Sequence, residues 1–223
     1  MSRALLCVAV PFALSAVQAH AGAQQYEPLA ASVQAALHAS VADRVSPRLV
    51  FASSDEGQAW LAGMSARLAR HLGDERTRTD LLVTVQYEAK RAGLDPQLVL
   101  GVIDVESQFH KYALSQAGAR GYMQVMPFWV DLIGSTEHNL FSLRTNLRYG
   151  CTILRHYLDL ERGDLARALA RYNGSLGKTS DYATRVLRAA RTRWAWSGQP
   201  VKGASFPTRD RPLRYMGASG GDE

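Results

Sequence analysis

A carboxylic acid on the apolar face of a helix is the feature of this chain that most directly invites chemistry. Asp95-Pro96 supplies a cap and a first-turn proline, and the helical pattern that follows runs through Glu106. Val99, Val102, Ile103 and Glu106 fall on one stripe by the i, i+3, i+4, i+7 rule, so the carboxyl group projects from the apolar side. Desolvation there disfavours the ionised form and raises the pKa, the condition a general acid needs near neutral pH. A buried carboxylate paired with an arginine such as Arg120 fits the same pattern. Asp104, two residues earlier, lies near the opposite face and is no natural catalytic partner. Cys151 sits in a helical pattern with His156 five residues on and off its face, which favours a buried small hydrophobe over a nucleophile.

The elements that must position Glu106 follow from the hydrophobic period. Apolar residues recur at three and four throughout and no long stretch alternates, so the expected fold class is all-α. Two amphipathic helices are expected over 29–45 and 54–72, the second opened by a Ser-x-x-Glu capping box at Ser53 to Glu56. The segment 73–78 breaks the pattern. A helix over 80–92 closes at Gly93, and Gly93-Leu94-Asp95-Pro96 makes a short corner into the helix that ends at Glu106. About fifteen irregular residues follow, then helices over 122–133, 143–160, from the Asp164 cap to Tyr172 and Asn173, and over 180–194. Asn173-Gly174-Ser175-Leu176-Gly177 is a loop signal.

The residues around Glu106 form an ordered series of motifs. Glu106-Ser107-Gln108-Phe109 is followed by Ala113-x-Ser115 and by Gly118-Ala119-Arg120-Gly121-Tyr122-Met123-Gln124-Val125-Met126-Pro127. Further on come Asn146-Leu147-x-x-Gly150, Ala168-Leu169-Ala170-Arg171-Tyr172-Asn173-Gly174-Ser175, and Tyr182-x-x-x-Val186. Over roughly residues 80–195 this series closely resembles the soluble lytic transglycosylase family, whose domain has the lysozyme-like α fold and cleaves peptidoglycan. The resemblance makes Glu106 the sole catalytic acid/base and Ser107 the serine that follows it. It makes Met123 and Gln124 cleft-lining residues, Tyr172 and Asn173 neighbours of the catalytic acid, and Tyr182 the late tyrosine facing the cleft. Ser115 joins them as a substrate-binding residue. Tyr122 replaces the usual leucine, and Gly174-Ser175 departs from the commoner alanine-glycine, which bears on loop shape. Taken singly, Met123 and Met126 read as core, Tyr172 as packing with its hydroxyl bonded, and Asn173 before Gly174 as an ordinary helix C-terminus.

A typical glycosidase needs two carboxylates, about 5 to 5.5 Å apart for retention or 6.5 to 9.5 Å apart for inversion. Only Glu106 belongs to a motif here, whereas Asp131 and Glu137 match none. The resemblance implies that the substrate supplies the second function. Glu106 would protonate the oxygen between N-acetylmuramic acid and N-acetylglucosamine, then deprotonate the muramoyl C6 hydroxyl, which closes a 1,6-anhydro ring. A goose-type lysozyme, which admits water instead, is the close alternative. A non-catalytic wall-binding or secretion-apparatus subunit is the alternative of another class, and the intact Glu106, Gln124, Tyr172 and Asn173 weigh against it.

Composition frames these expectations. The chain has 223 residues, 47% hydrophobic and 21% charged, with 26 Lys+Arg against 20 Asp+Glu. That is enough for one sizeable core, and no apolar run reaches the roughly 18 residues of a membrane span. Residues 1–21 combine a positive start, an apolar middle and Ala19-His20-Ala21, the pattern of a secretory signal peptide. Removal of Cys7 with it leaves Cys151 alone and hence no internal disulfide. Residues 22–79 form an N-terminal helical segment outside the resemblance, 80–196 the catalytic domain, and 197–223 a basic tail expected to be disordered. Between Arg144 and Arg214 there are 15 Lys+Arg and 5 Asp+Glu, which suits the carboxylates of peptidoglycan stems. No nucleic-acid module is present. The expectation is therefore a periplasmic monomer acting on peptidoglycan glycan strands, without metal or organic cofactor, and with any envelope protein partner unspecified.

Overall fold

The computed structural model describes residues 24–42 and 45–196, so the expected signal peptide over 1–21 and the whole of the expected tail over 197–223 lie outside the described residues. Among the described residues there are eight helices: α1 (Ala31–Ala42), α2 (Ser54–Leu68), α3 (Glu75–Arg91), α4 (Pro96–Glu106), α5 (Phe128–Ile133), α6 (Leu143–Leu160), α7 (Leu165–Tyr172) and α8 (Tyr182–Thr192). Isolated bridges join Arg120 with Leu114 and with Val125. The all-α class expected from the period holds.

Local chemistry sets four of the eight helix starts. Ser53 accepts from the Glu56 N–H, Asp95 from Gln97 and Asp164 from Arg167, each satisfying a donor that the first helical turn leaves open. Asp74 does the same for Thr77, which is why α3 begins at Glu75 inside the segment expected to break the pattern. At its other end, Gly93 takes φ +66° and Leu94 N–H returns to the Ala89 carbonyl.

One expected helix is largely replaced by a turn. In place of a helix over 122–133, only Phe128–Ile133 is helical. Gly121 and Gln124 have φ of +75° and +48°, and the Arg120 and Val125 backbones bond to each other, so the chain turns tightly before Pro127 opens α5. The apolar spacing of Tyr122, Met123 and Val125 reflects burial in this turn rather than a helical face.

The core sits where α4 crosses the bundle. Every α4 residue except Val105 is buried, including Val99, Val102, Ile103 and Glu106. α8 and α3 both pack against it, and α6 packs on α3 and α7. Glu88 of α3 holds Arg91 and Arg148 at 2.8 Å each, the latter reaching across from α6. Cys151 is buried within α6, where desolvation pushes its thiol far up and leaves it unreactive.

Candidate active site

Helix α4 delivers Glu106 to the interior and stops there. Ser107 is its C-cap, and Gln108 and Phe109 turn away with φ of +50° and +65°. The Glu106 side chain is buried, and its Oε1 accepts a 2.6 Å bond from the Tyr182 hydroxyl. Its Oε2 has no partner within the protein. Burial raises the carboxyl pKa to about 8, against the opposing pull of the Tyr182 bond and of Arg185. Arg120, the alternative partner, lies with its guanidinium carbon 6.0 Å from the Phe141 ring centroid. Asp104 is committed elsewhere, accepting from Trp194 Nε1 and pairing with Arg193 Nε, both at 2.9 Å.

Tyr182 reaches Glu106 because α8 lies unusually close to α4. A Cβ on Gly101 would stand 2.8 Å from the Val186 carbonyl oxygen and 3.1 Å from Ala190 N. Glycine in mid-helix weakens the helix by roughly 0.5–1 kcal/mol relative to alanine, and here it permits backbone-to-backbone packing that a methyl would block. The absence of a side chain thereby sets the position of the Tyr182 hydroxyl.

The turn after Glu106 is built largely from backbone bonds. Ser107 Oγ lies 2.7 Å from the Tyr122 carbonyl oxygen, tying the end of α4 to the turn. Ser115 Oγ accepts from Ala119 N–H at 3.0 Å and shapes the outer loop. Gln124 is buried, with Nε2 donating to the carbonyls of Ala113 and Gly121 at 3.1 and 3.0 Å and with Oε1 unpartnered. Met123 is wholly buried against α6: a Cβ on Gly150 would fall 2.3 Å from its sulfur. Its N–H donates to Asn146 Oδ1 and its carbonyl accepts from the Tyr172 hydroxyl, both at 2.8 Å. Asn173, the C-cap of α7, is buried with Nδ2 unpartnered.

Glu106 and Tyr182 are thus in direct contact. Ser107, Met123, Gln124 and Tyr172 belong to one bonded assembly around the turn, and Ser115 stands on its outer loop. Three buried polar atoms of these motif residues lack protein partners: Glu106 Oε2, Gln124 Oε1 and Asn173 Nδ2. Buried groups of this kind are rarely left unpaired without a ligand or water to meet them. Among the described residues, no group of three His, Cys, Asp or Glu could hold a metal ion. A separate cavity of about 260 Å³, lined by His38, Arg144 and Tyr149 among others, includes none of these site residues.

Sequence reasoning passed over Gly101 and Gln24, and it quoted Asn146 in a motif without giving it a role. Gly101 could have been suspected, because glycine interrupts an apolar helix only at a cost. Asn146 bonds Met123 N–H as well as the Arg120 and Leu140 carbonyls. Gln24 carried no local signal. Buried ahead of α1, it donates to the Gln124 carbonyl and accepts from Met126 N–H, both at 3.1 Å. Nearby, Tyr26 stacks edge-on against Phe128 and Glu27 pairs with Arg171 at 2.8 Å, next to Tyr172.

The family model described as the transglycosylase SLT domain matches residues 84–194, a span containing every motif residue from Glu106 to Tyr182. The chain carries an SLT domain. The transglycosylase of Enterobacteria phage PRD1 is 32% identical over 128 residues, 55% of this chain and 47% of the phage protein. The membrane-bound lytic murein transglycosylase C of Actinobacillus pleuropneumoniae is 52% identical over 46 residues, 21% of this chain and 13% of that protein. The chain therefore spans about half or less of the length of these curated relatives. A solved structure of an inactive variant of the lytic transglycosylase Slt from Pseudomonas aeruginosa aligns with a TM-score of 0.44 at 23% identity, covering 60% of this chain and 30% of that one. Helices α1 and α2 precede the SLT domain, and Gln24 reaches into it from outside the matched span.

Proposed function

We propose that the chain is a peptidoglycan lytic transglycosylase in which Glu106 serves as both acid and base. The observation that carries this is a buried glutamic acid held by a tyrosine on one oxygen and open on the other. With a pKa raised to about 8, Glu106 is protonated at neutral pH and can deliver its proton to a glycosidic oxygen. The bond from C1 to that oxygen breaks, and the leaving sugar departs with the proton as its hydroxyl. The carboxylate that remains is steadied by the Tyr182 hydroxyl and by Arg185, the groups that favour the charged form. It then takes the proton of the muramoyl C6 hydroxyl as O6 bonds to C1, so the acid is regenerated and no water is consumed.

The ties of Asp104 to Trp194 and Arg193 support a single-carboxylate mechanism. The names of the PRD1 and Actinobacillus proteins support the reaction class. Gln124 Oε1 and Asn173 Nδ2 are a free acceptor and a free donor suited to sugar hydroxyl and acetamido groups. Ser107, Met123 and Tyr172 act chiefly by fixing the turn that carries Gln124, and Ser115 by fixing the outer loop. The enzyme would work in the periplasm after removal of residues 1–21, with N-terminal sequencing of periplasmic protein beginning at Gly22.

Digestion of purified sacculi, with product masses, is the test. Anhydro-ended products, lighter by one water than reducing ends, are expected from the mature chain, and Glu106→Gln should release none. Reducing ends would identify a hydrolase instead. Retention of more than about a tenth of wild-type turnover by Glu106→Gln would overturn the assignment, since general acid catalysis is worth about 10² to 10⁴-fold.

A further inference from the structure

The outer loop after α4 carries a cluster that the acid/base chemistry does not use. Tyr112 is 71% exposed and Leu114 65%, both in a segment that begins four residues beyond Glu106. The Tyr112 and Phe141 rings stand 5.9 Å apart at 53°, with Lys111 Nζ 5.2 Å from the Tyr112 centroid and the Arg120 guanidinium 6.0 Å from that of Phe141. Tyr112 is thus exposed and Phe141 half-buried, each ring with a cation over one face. The loop is fixed by the bridges of Arg120 to Leu114 and Val125, and by the Gln124 amide on the Ala113 carbonyl. From Ser107 to Val130 the chain has no Asp or Glu, so the positive charge of Lys111 and Arg120 is not offset within that segment.

Exposing a tyrosine and a leucine together leaves apolar surface in water with no benefit to folding. Rings flanked by cations suit a ligand with an apolar ring face and a carboxylate. A pyranose turns its C–H face to an aromatic ring, and a carboxylate meets Lys or Arg at its edge. We propose that Tyr112 and Phe141 form a stacking subsite for a sugar of the glycan strand, and that Arg120 and Lys111 pair with a carboxylate of the peptide stem attached to it. This rests on the peptidoglycan substrate proposed above and adds to it a preference for stem-bearing strands. The connection to the acid is short, because Arg120 leads directly into the Gly121 to Gln124 turn and Lys111 follows closely on the end of α4.

The test measures equilibrium binding of the full chain carrying Glu106→Gln to intact sacculi and to glycan strands stripped of their stems by amidase. Adding Tyr112→Ala should weaken binding to both about threefold to tenfold, the range that one aromatic contact supplies, with an unchanged melting temperature because Tyr112 is mostly exposed. Adding Arg120→Ala should weaken binding to intact sacculi by a similar factor and leave stem-free strands unaffected. Undiminished binding of the Tyr112→Ala chain to both overturns the stacking subsite. An equal loss on both substrates from Arg120→Ala overturns the carboxylate pairing. If the wild-type chain releases no products from sacculi, the lytic function fails, while the binding comparisons still decide the subsite.

Discussion

Replacement of Glu106 by glutamine should change the pH dependence of stability in a direction opposite to that of most carboxylates. Ordinary glutamic acid titrates at 4.5, and burial raises Glu106 to about 8. Between those values the folded chain keeps the proton that the unfolded chain has released. The folded state binds more protons, so stability is fully present below pH 4.5 and falls as pH rises through the folded pKa. At about 1.36 kcal/mol per tenfold in proton affinity, the loss across the window is about 4 to 5 kcal/mol. Glu106→Gln keeps the shape and has nothing to titrate. Near pH 4.5 the two chains should be nearly equally stable, differing by how well the amide accepts from Tyr182. Above pH 8 the glutamine chain should be the more stable by several kcal/mol and inactive at every pH. Urea unfolding at intervals from pH 4.5 to 9 gives the difference directly. Curves that stay parallel to within about 1 kcal/mol would refute the desolvated, neutral acid on which the chemistry depends.

Tyr182→Phe removes a bond that favours the carboxylate, so the alkaline fall in kcat/KM should move to higher pH while turnover drops about tenfold or more through lost orientation. An unmoved pH profile would contradict this. Gly101→Ala should cost about 1–3 kcal/mol by thermal denaturation and depress turnover of the folded fraction, because the methyl meets the Val186 carbonyl. Full activity with unchanged melting would show that the helices have room. Gln24→Ala leaves Met126 N–H and the Gln124 carbonyl without their partner and should cost about 1–3 kcal/mol, again read from melting.

Much of this arrangement was legible in the sequence where its cause is local. The stripe of Val99, Val102 and Ile103 predicts the burial of Glu106, although α4 is buried on nearly every side and Asp104 with it. Asp95-Pro96 and Gly93 mark a corner because caps and left-handed glycines act within a few residues. Tyr122 to Val125 misled because apolar spacing cannot distinguish a short helix from a buried turn, and the decisive φ belongs to Gln124, a residue that seldom adopts it. The partner of Tyr172 was not legible either: its hydroxyl bonds the Met123 carbonyl, 49 residues away. Asp104 was rightly separated from Glu106 by its place on α4, yet its ties to Trp194 and Arg193 depend on how α8 ends, which no local pattern contains.

The stretch from Gln24 to Gln34 carries a kinetic consequence. Its bonds to the Gln124 carbonyl, Met126 N–H and the Leu132 carbonyl join positions 100, 102 and 98 residues apart, and Glu27 meets Arg171 across 144. Loop-closure entropy rises with such separations, and contacts of this range slow folding more than they reduce final stability. The first part of the described chain to be synthesised would then be among the last to dock, and the turn bearing Gln124 would stay loose until it did. Pulsed hydrogen exchange during refolding should find the Met126 amide protected after the central amides of α4 and α8. Simultaneous protection would mean that the N-terminal stretch folds together with the core it fastens.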